Sequence, residues 1–294
     1  MKKKNENPNI TVIKKESSGK AIFRRFLQNK GATVGMIVMI VLVLAAIFAP
    51  ILSPYSYKAI DMDNLFEAPS LKHPFGCDEL GRDILSRVMY GGRFSLFIGL
   101  FATGLAAVGG IILGSIAGYL GGKIDNVIMR FLDIIQAIPG MLLSIALTTV
   151  LGTGMVEMAI ALGIGNIAPM ARLLRGSILQ VRKSEYLDAA VIDNTGAFRT
   201  IRKHLLPNAI SPIIVQSTLG CANTILIASS LSFIGVGIQP PNPEWGAMLS
   251  SGRDYIRDYP YLLIFPGIAI VLTVLSLNLI GDGLRDALDP KLKK

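Results

Sequence analysis

The chain has 294 residues, of which 51 % are apolar and 17 % charged, with a net charge of +9. Soluble domains carry about a quarter charged residues, so this balance excludes an ordinary soluble domain, and a positive mean hydropathy with long stretches nearly free of charge points to an integral membrane protein. Nucleic-acid binding is one reason for such a basic excess, and the placement of the basic residues argues against it.

Residues 1–20, MKKKNENPNITVIKKESSGK, are polar and read as disordered. In residues 21–31, Ile22, Phe23, Phe26 and Leu27 alternate with Arg24, Arg25 and Lys30. This predicts a short amphipathic helix in the membrane interface, with a solvated basic lead-in as the plainer alternative. A spanning helix needs ~20 mostly apolar residues, and six stretches qualify: 32–52, 94–119, 127–150, 157–176, 209–237 and 261–281. The first has no charge and exceeds the 7–15 apolar residues of a secretory signal, so it reads as a retained anchor. A polar loop, 53–93, follows it. In the second span Gly110, Gly114 and Gly118 repeat on one helix face and predict close helix packing. AGYLGGKI, 117–124, approaches a phosphate-binding loop, but Ile124 stands where a Ser or Thr must hold Mg²⁺, so we reject it.

Pro139 and Pro169 permit kinks in spans three and four, and Asp133 is expected to pair with Arg130. In span five Gln216, Asn223 and Ser230 recur every seven residues, one polar stripe with Gly220 between them. Such a stripe should face protein or water. Asn166 and Asn278 are candidates to join it, and hydrogen bonding to a neighbouring subunit is the alternative use. Trp245 is expected at the membrane edge as an anchor. Six spans put both termini on one side, and 22 of the 29 Lys and Arg fall on that side, so both termini are expected to be cytoplasmic. Topology then accounts for the net charge, and no nucleic acid is needed. Cys77 lies in the outer loop and Cys221 in a span, while His73 and His204 fall on opposite sides; this predicts no disulfide framework and no metal cluster.

The hydrophilic connector 185–208, EYLDAAVIDNTGAFRTIRKHLLPN, interrupts the apolar pattern on the inner side. Ser184 can cap a helix whose first turn holds Glu185 and Asp188. Asn194-Thr195-Gly196 bends it, and a second helix is predicted from Ala197 to Leu206, which Pro207 stops or restarts. Glu185, the small pair Ala189 and Ala190, the bend and the terminal His204-Leu205-Leu206-Pro207-Asn208 resemble the "EAA" loop of ABC importer permeases. That pattern has Gly where this chain has Asn194, so Gly196 is a second candidate for the turn. HPFGCDELGRDILSRVMYGGRFSL (73–96), SFIGVGIQPPNPEWGAML (232–249) and LIGDGLRDALDP (279–290) are similar to the peptide and nickel permeases, with Cys77 where the pattern usually has Thr.

The resemblance implies an all-α integral membrane protein, the six-helix membrane domain of a type I ABC importer, with a core domain over 94–284 and a cytoplasmic tail over 285–294. It implies a C-type permease that is not an enzyme and binds no cofactor, ATP and Mg²⁺ being held by two separate ATPase subunits. Glu185, Ala189, Ala190, Asn194, Gly196 and Arg199 would couple to them. A paralogous permease would complete the translocation pathway. Gln216, Asn223, Ser230, Asn166 and Asn278 are the candidates to line it. Asp78, Glu79, Arg82 and Asp83 would begin an interfacial helix contacting an extracytoplasmic substrate-binding protein. The implied cargo is dipeptides or oligopeptides; nickel, nickel chelates and glutathione are the alternatives within the family. A secondary transporter or channel is the rival class, and it predicts mid-membrane charge and internal repeats, neither of which stands out here.

Overall fold

A computed structural model describes residues 18–182 and 196–289, and these residues are helical throughout apart from loops and turns. An amphipathic helix, α1 (Ser18–Gln28), leads into α2 (Lys30–Ile47). The junction is Asn29, whose Oδ1 accepts from the Ala32 N–H and whose Nδ2 donates to Asp286. Phe26 of α1 is buried against Ala32 and Ala287, while Phe23 and Leu27 are exposed. One side of α1 therefore docks on the protein, and the other carries exposed apolar side chains.

The next helix, α3 (Ile84–Leu120), runs unbroken for 37 residues. At 1.5 Å per residue it is about 55 Å long, well beyond a hydrocarbon core of about 30 Å. Asp78–Asp83 is expected to begin a helix; the stretch itself is a tight loop that leads directly into α3, and Asp83 caps α3 by accepting from the Ser86 N–H at 2.7 Å. Arg93 was counted with the outer loop, yet it lies inside α3. Its guanidinium donates to the Ala46 and Ile47 carbonyls at the C-terminal end of α2, where a helix leaves carbonyls unpaired.

The expected third span, 127–150, is two helices, α4 (Gly122–Gln136) and α5 (Gly140–Leu151), meeting at 84°. Pro139 is the cause: it disfavours helical geometry at Ile138 and cannot donate an N–H to continue the α4 ladder. Next come α6 (Met155–Val181), α7 (Ser211–Phe233), the short α8 (Trp245–Gly252) and α9 (Tyr261–Leu288). Among the described residues α2, α3, α6, α7 and α9 are long and apolar enough to cross a membrane, which makes five candidate spans, or six if the bent α4–α5 pair is counted as one.

The α3–α6 seam organises the core. Gly110, Gly114 and Gly118 lie against Met170, Ala171, Leu174 and Ile178, so no α3 side chain holds the two helices apart at these positions. At one end of the bundle Arg175 forms a two-pronged ion pair with Asp125, and Arg182 donates to the Gly118 and Tyr119 carbonyls. Asp133 pairs across the helices with Arg172 rather than with Arg130, which is exposed on its own helix. At the opposite end the 53–83 loop packs on the approach to α9: Phe66 stacks on Tyr259, Phe75 on Phe265, and the Tyr261 hydroxyl donates to the Phe66 carbonyl.

Trp245 sits in this second end and is not a lipid anchor. It is 2 % exposed, rests against Gly91 and Gly92 of α3, and donates its Nε1–H to the Val88 carbonyl at 2.9 Å. Beside it Glu244 is fully buried. Its Oε2 accepts from the Ala247 N–H, capping α8, and its Oε1 accepts from the Ser95 hydroxyl of α3. Together Trp245 and Glu244 lock α8 onto α3.

Candidate functional site

Between α3, α6 and α7 lies a cavity lined by Thr103, Asn166, Pro169, Gln216, Gly220 and Thr224, with Ala106 and Met170 behind them. The polar groups of a largely apolar cavity in a helical bundle come from side chains whose own hydrogen bonds are partly met by the helix backbone. Here Thr224 donates to the Gly220 carbonyl and Asn166 to the Leu162 carbonyl, which leaves the Asn166 Oδ1 and the whole Gln216 amide for the cavity. Of the five residues the sequence put forward for a pathway, Asn166 and Gln216 share this cavity. Asn223 and Ser230 continue from Gln216 along the exposed face of α7, and the Ser230 hydroxyl donates to the Leu226 carbonyl. Asn278 is half-buried on α9 and does not line the cavity. Thr103, Pro169 and Thr224 complete the lining; Thr103 and Thr224 sit in apolar runs and give no periodic signal of their own.

The connector 185–208 is described from Gly196 onward; Glu185, Ala189, Ala190 and Asn194 lie outside the described residues. Gly196, Phe198 and Arg199 are exposed at the start of a helical segment covering 197–209. Its middle, Ile201–Leu205, is a wider π turn, closed by the Leu206 N–H donating to the Ile201 carbonyl. Pro207 explains the widening: with no N–H to offer and a ring that would strike the carbonyl of residue 203, it fits where the helix loosens. Pro207 stands in the first turn of the short α-helix Leu206–Ala209 that follows the π turn, so it begins the next helical piece, as expected. Backbone bonds from Ile210 to Leu206 and from Ile214 to Ile210 carry the segment into α7. Leu205 and Ala209 are buried among Leu174 and Ile178 of α6.

At the other end, the loop 78–83 is held by its own charges. The Asp78 carboxylate accepts from the Leu80 and Arg82 N–H groups and from the Arg82 Nε at 2.7 Å, and Arg87 approaches to 3.4 Å. Asp78, Arg82 and Asp83 are buried, so their charges are spent inside this loop; Glu79 pairs with Arg82 and keeps part of its side chain at the surface. Behind the loop the Cys77 thiol is pushed up to about 12, by burial first and then by the carboxylates of Asp83 and Glu67. No metal cluster is expected from the spacing of His73 and Cys77, yet Glu67, His73 and Cys77 converge here.

With the architecture in view, comparison with known proteins is informative. Residues 110–294 match the model of the binding-protein-dependent transport system inner membrane component, and residues 17–69 match the N-terminal TM domain of oligopeptide transport permease C. A dipeptide transport system permease protein DppC of Alkalihalophilus pseudofirmus is 46 % identical over 271 residues, 92 % of this chain and 89 % of the relative. A di/tripeptide transport system permease protein DppC of Pseudomonas aeruginosa is 41 % identical over 280 residues, 93 % of this chain and 92 % of the relative. A glutathione transport system permease protein GsiD of Escherichia coli is 44 % identical over 272 residues, 92 % of this chain and 90 % of the relative.

Proposed function

The chain belongs to the family of binding-protein-dependent transport system inner membrane components, on the oligopeptide permease C branch, and on that premise we propose that it carries di- and oligopeptides across the cell membrane as one of two paralogous permease subunits. Two ATPase subunits supply the energy and hold the ATP and Mg²⁺. An extracytoplasmic binding protein delivers the cargo. Both termini and the 185–208 connector face the cytoplasm. Glu185, Ala189, Ala190 and Asn194 engage an ATPase groove, with Gly196, Phe198 and Arg199 beside them; of Asp78, Glu79, Arg82 and Asp83, Glu79 is the one with surface to offer the binding protein.

One observation carries this reading. The exposed inner segment 197–209 continues by backbone hydrogen bonds into α7, the helix that brings Gln216 to the cavity and displays Asn223 and Ser230 on its open face. A push on the inner segment is thereby delivered to the polar face without passing through a loop. Because that face is open in a single chain, it supports a pathway completed by a second subunit.

Uptake of a labelled dipeptide in cells, with and without the co-encoded ATPase genes, tests the proposal, together with recovery of the complex in mild detergent. Uptake should vanish without the ATPases, and they should co-purify with this chain. Uptake that persists without them would establish the secondary-transport class instead. A second reading, glutathione as cargo, is supported by the relative that bears that name. Competition by glutathione, unlabelled dipeptide or a nickel salt for the co-encoded binding protein separates the cargoes.

A further inference from the structure

The outer loop folds three potential metal ligands onto one point. Glu67, His73 and Cys77 place a carboxylate oxygen, an imidazole nitrogen and a sulfur within 4.8 Å of one another. His73 is 4 % exposed, and Cys77 is fully buried. Among the described residues no hydrogen-bond partner reaches the inward-facing atoms: His73 Nε2 and Glu67 Oε2 are both buried without a hydrogen bond and stand 3.8 Å apart. In a tetrahedral zinc site with metal–ligand distances of 2.0–2.2 Å, neighbouring N and O ligands lie about 3.4 Å apart, so a small closing motion suffices.

The surroundings are arranged as they are around a metal-binding histidine. Asp83 Oδ1 lies 2.9 Å from His73 Nδ1. A carboxylate there takes the Nδ1 proton as its partner and leaves the Nε2 lone pair aimed at the cluster. Tyr55 stacks on the imidazole with centroids 4.7 Å apart. Ser70 fixes the carboxylate: its hydroxyl donates to Glu67 Oε1 and accepts from the His73 N–H, so Oε2 is the free oxygen. The Cys77 N–H donates to the Glu67 carbonyl, holding sulfur and carboxylate on adjacent backbone. The Glu67 side chain is 30 % exposed, which gives an ion a way in.

We propose that Glu67, His73 and Cys77 form a resident binding site for a borderline-soft divalent cation of the zinc class, with water as a fourth ligand, clipping the outer loop onto itself. Binding exchanges the thiol proton, released to solvent, for a metal–thiolate bond, with no redox change. The site is a structural one, separate from any cargo, and its readout is metal content rather than uptake, so it stands or falls independently of the transport reading.

The test uses the complex purified with its co-encoded subunits, equilibrated with buffered Zn²⁺ and then desalted. Cys77→Thr serves as the comparison, because threonine is the residue that the resembling permeases carry at this place and it should leave fold and assembly intact. Wild-type complex should hold about one more zinc per chain than C77T. Co²⁺ in place of Zn²⁺ should give a thiolate-to-cobalt charge-transfer band in wild type and none in C77T. Glu67→Gln should weaken zinc binding at least about tenfold, the scale of losing a ligand or its support. Equal zinc content in wild type and C77T, or cobalt spectra without a thiolate band, would overturn the proposal.

Discussion

The α3–α6 seam makes a prediction that can be worked from distances. A Cβ added at Gly114 would lie 2.5 Å from the Ala171 carbonyl oxygen and 3.1 Å from the Leu174 Cβ, where ordinary contact begins at 3.4 Å. Gly114→Ala therefore forces the helices about 0.9 Å apart at this point, or distorts the α6 backbone. Overpacking of this kind costs about 1–3 kcal/mol, and in lipid no hydrophobic gain offsets it, since close packing is itself what holds such helices together. Gly104 lies in the same helix with no atom near its would-be Cβ, so Gly104→Ala is the matched control and should fall within about 0.5 kcal/mol of wild type. Unfolding of each purified variant in mixed micelles, followed by circular dichroism across a denaturing-detergent titration, measures the difference. If Gly114→Ala proves as stable as Gly104→Ala, the direct backbone contact at this seam is wrong.

Further tests probe the two ends and the cavity. Glu244→Ala removes the cap of α8 and leaves the Ser95 hydroxyl and Ala247 amide buried without their acceptor; a loss of about 2–4 kcal/mol is expected in the same titration, with Glu244→Gln, which keeps one acceptor, in between. Arg175→Leu strands the Asp125 carboxylate and should cost about 1–3 kcal/mol, and the exchanged pair Asp125→Arg with Arg175→Asp should recover part of it. Gln216→Leu keeps the volume of the cavity lining but removes its free amide. If that amide meets cargo during passage, losing one hydrogen bond of about 1 kcal/mol should slow uptake about fivefold with complex assembly unchanged. An unaltered uptake rate would take Gln216 out of the pathway.

The spans were readable in the sequence because lipid accepts only long apolar helices, and the stretches beginning at 32, 157, 209 and 261 each became a helix of sufficient length. What composition did not carry was geometry. The third span has the hydropathy of one helix, and only Pro139 hinted at its 84° corner. The outer ten residues of α3 read as loop because they contain Arg87 and Arg93, yet both guanidiniums have backbone carbonyls of other segments to serve: Tyr57 for the first, Ala46 and Ile47 for the second. Trp245 and Asp133 were assigned by the commonest use of their residue type, and each found a specific partner that no local pattern announces, the Val88 carbonyl and Arg172. For the cavity, seven-residue spacing singled out Gln216, but its companions Thr103 and Asn166 come from other helices and meet it only in three dimensions. Glu67, His73 and Cys77 follow no ligand spacing, and a turn plus one β-bridge between Cys77 and Asp83 are what gather them.

The unbroken ladder of α3 has a mechanical consequence. Its upper end carries the charged loop through the Asp83 cap, and its lower end stops at Gly121, whose φ of 65° turns the chain sharply into α4. A strut about 55 Å long with no hinge converts a tilt of about 5° into about 5 Å of travel between its ends. A load on the capped end would reach the other end as a sideways swing of the Gly121 corner, because the rod between them has no break.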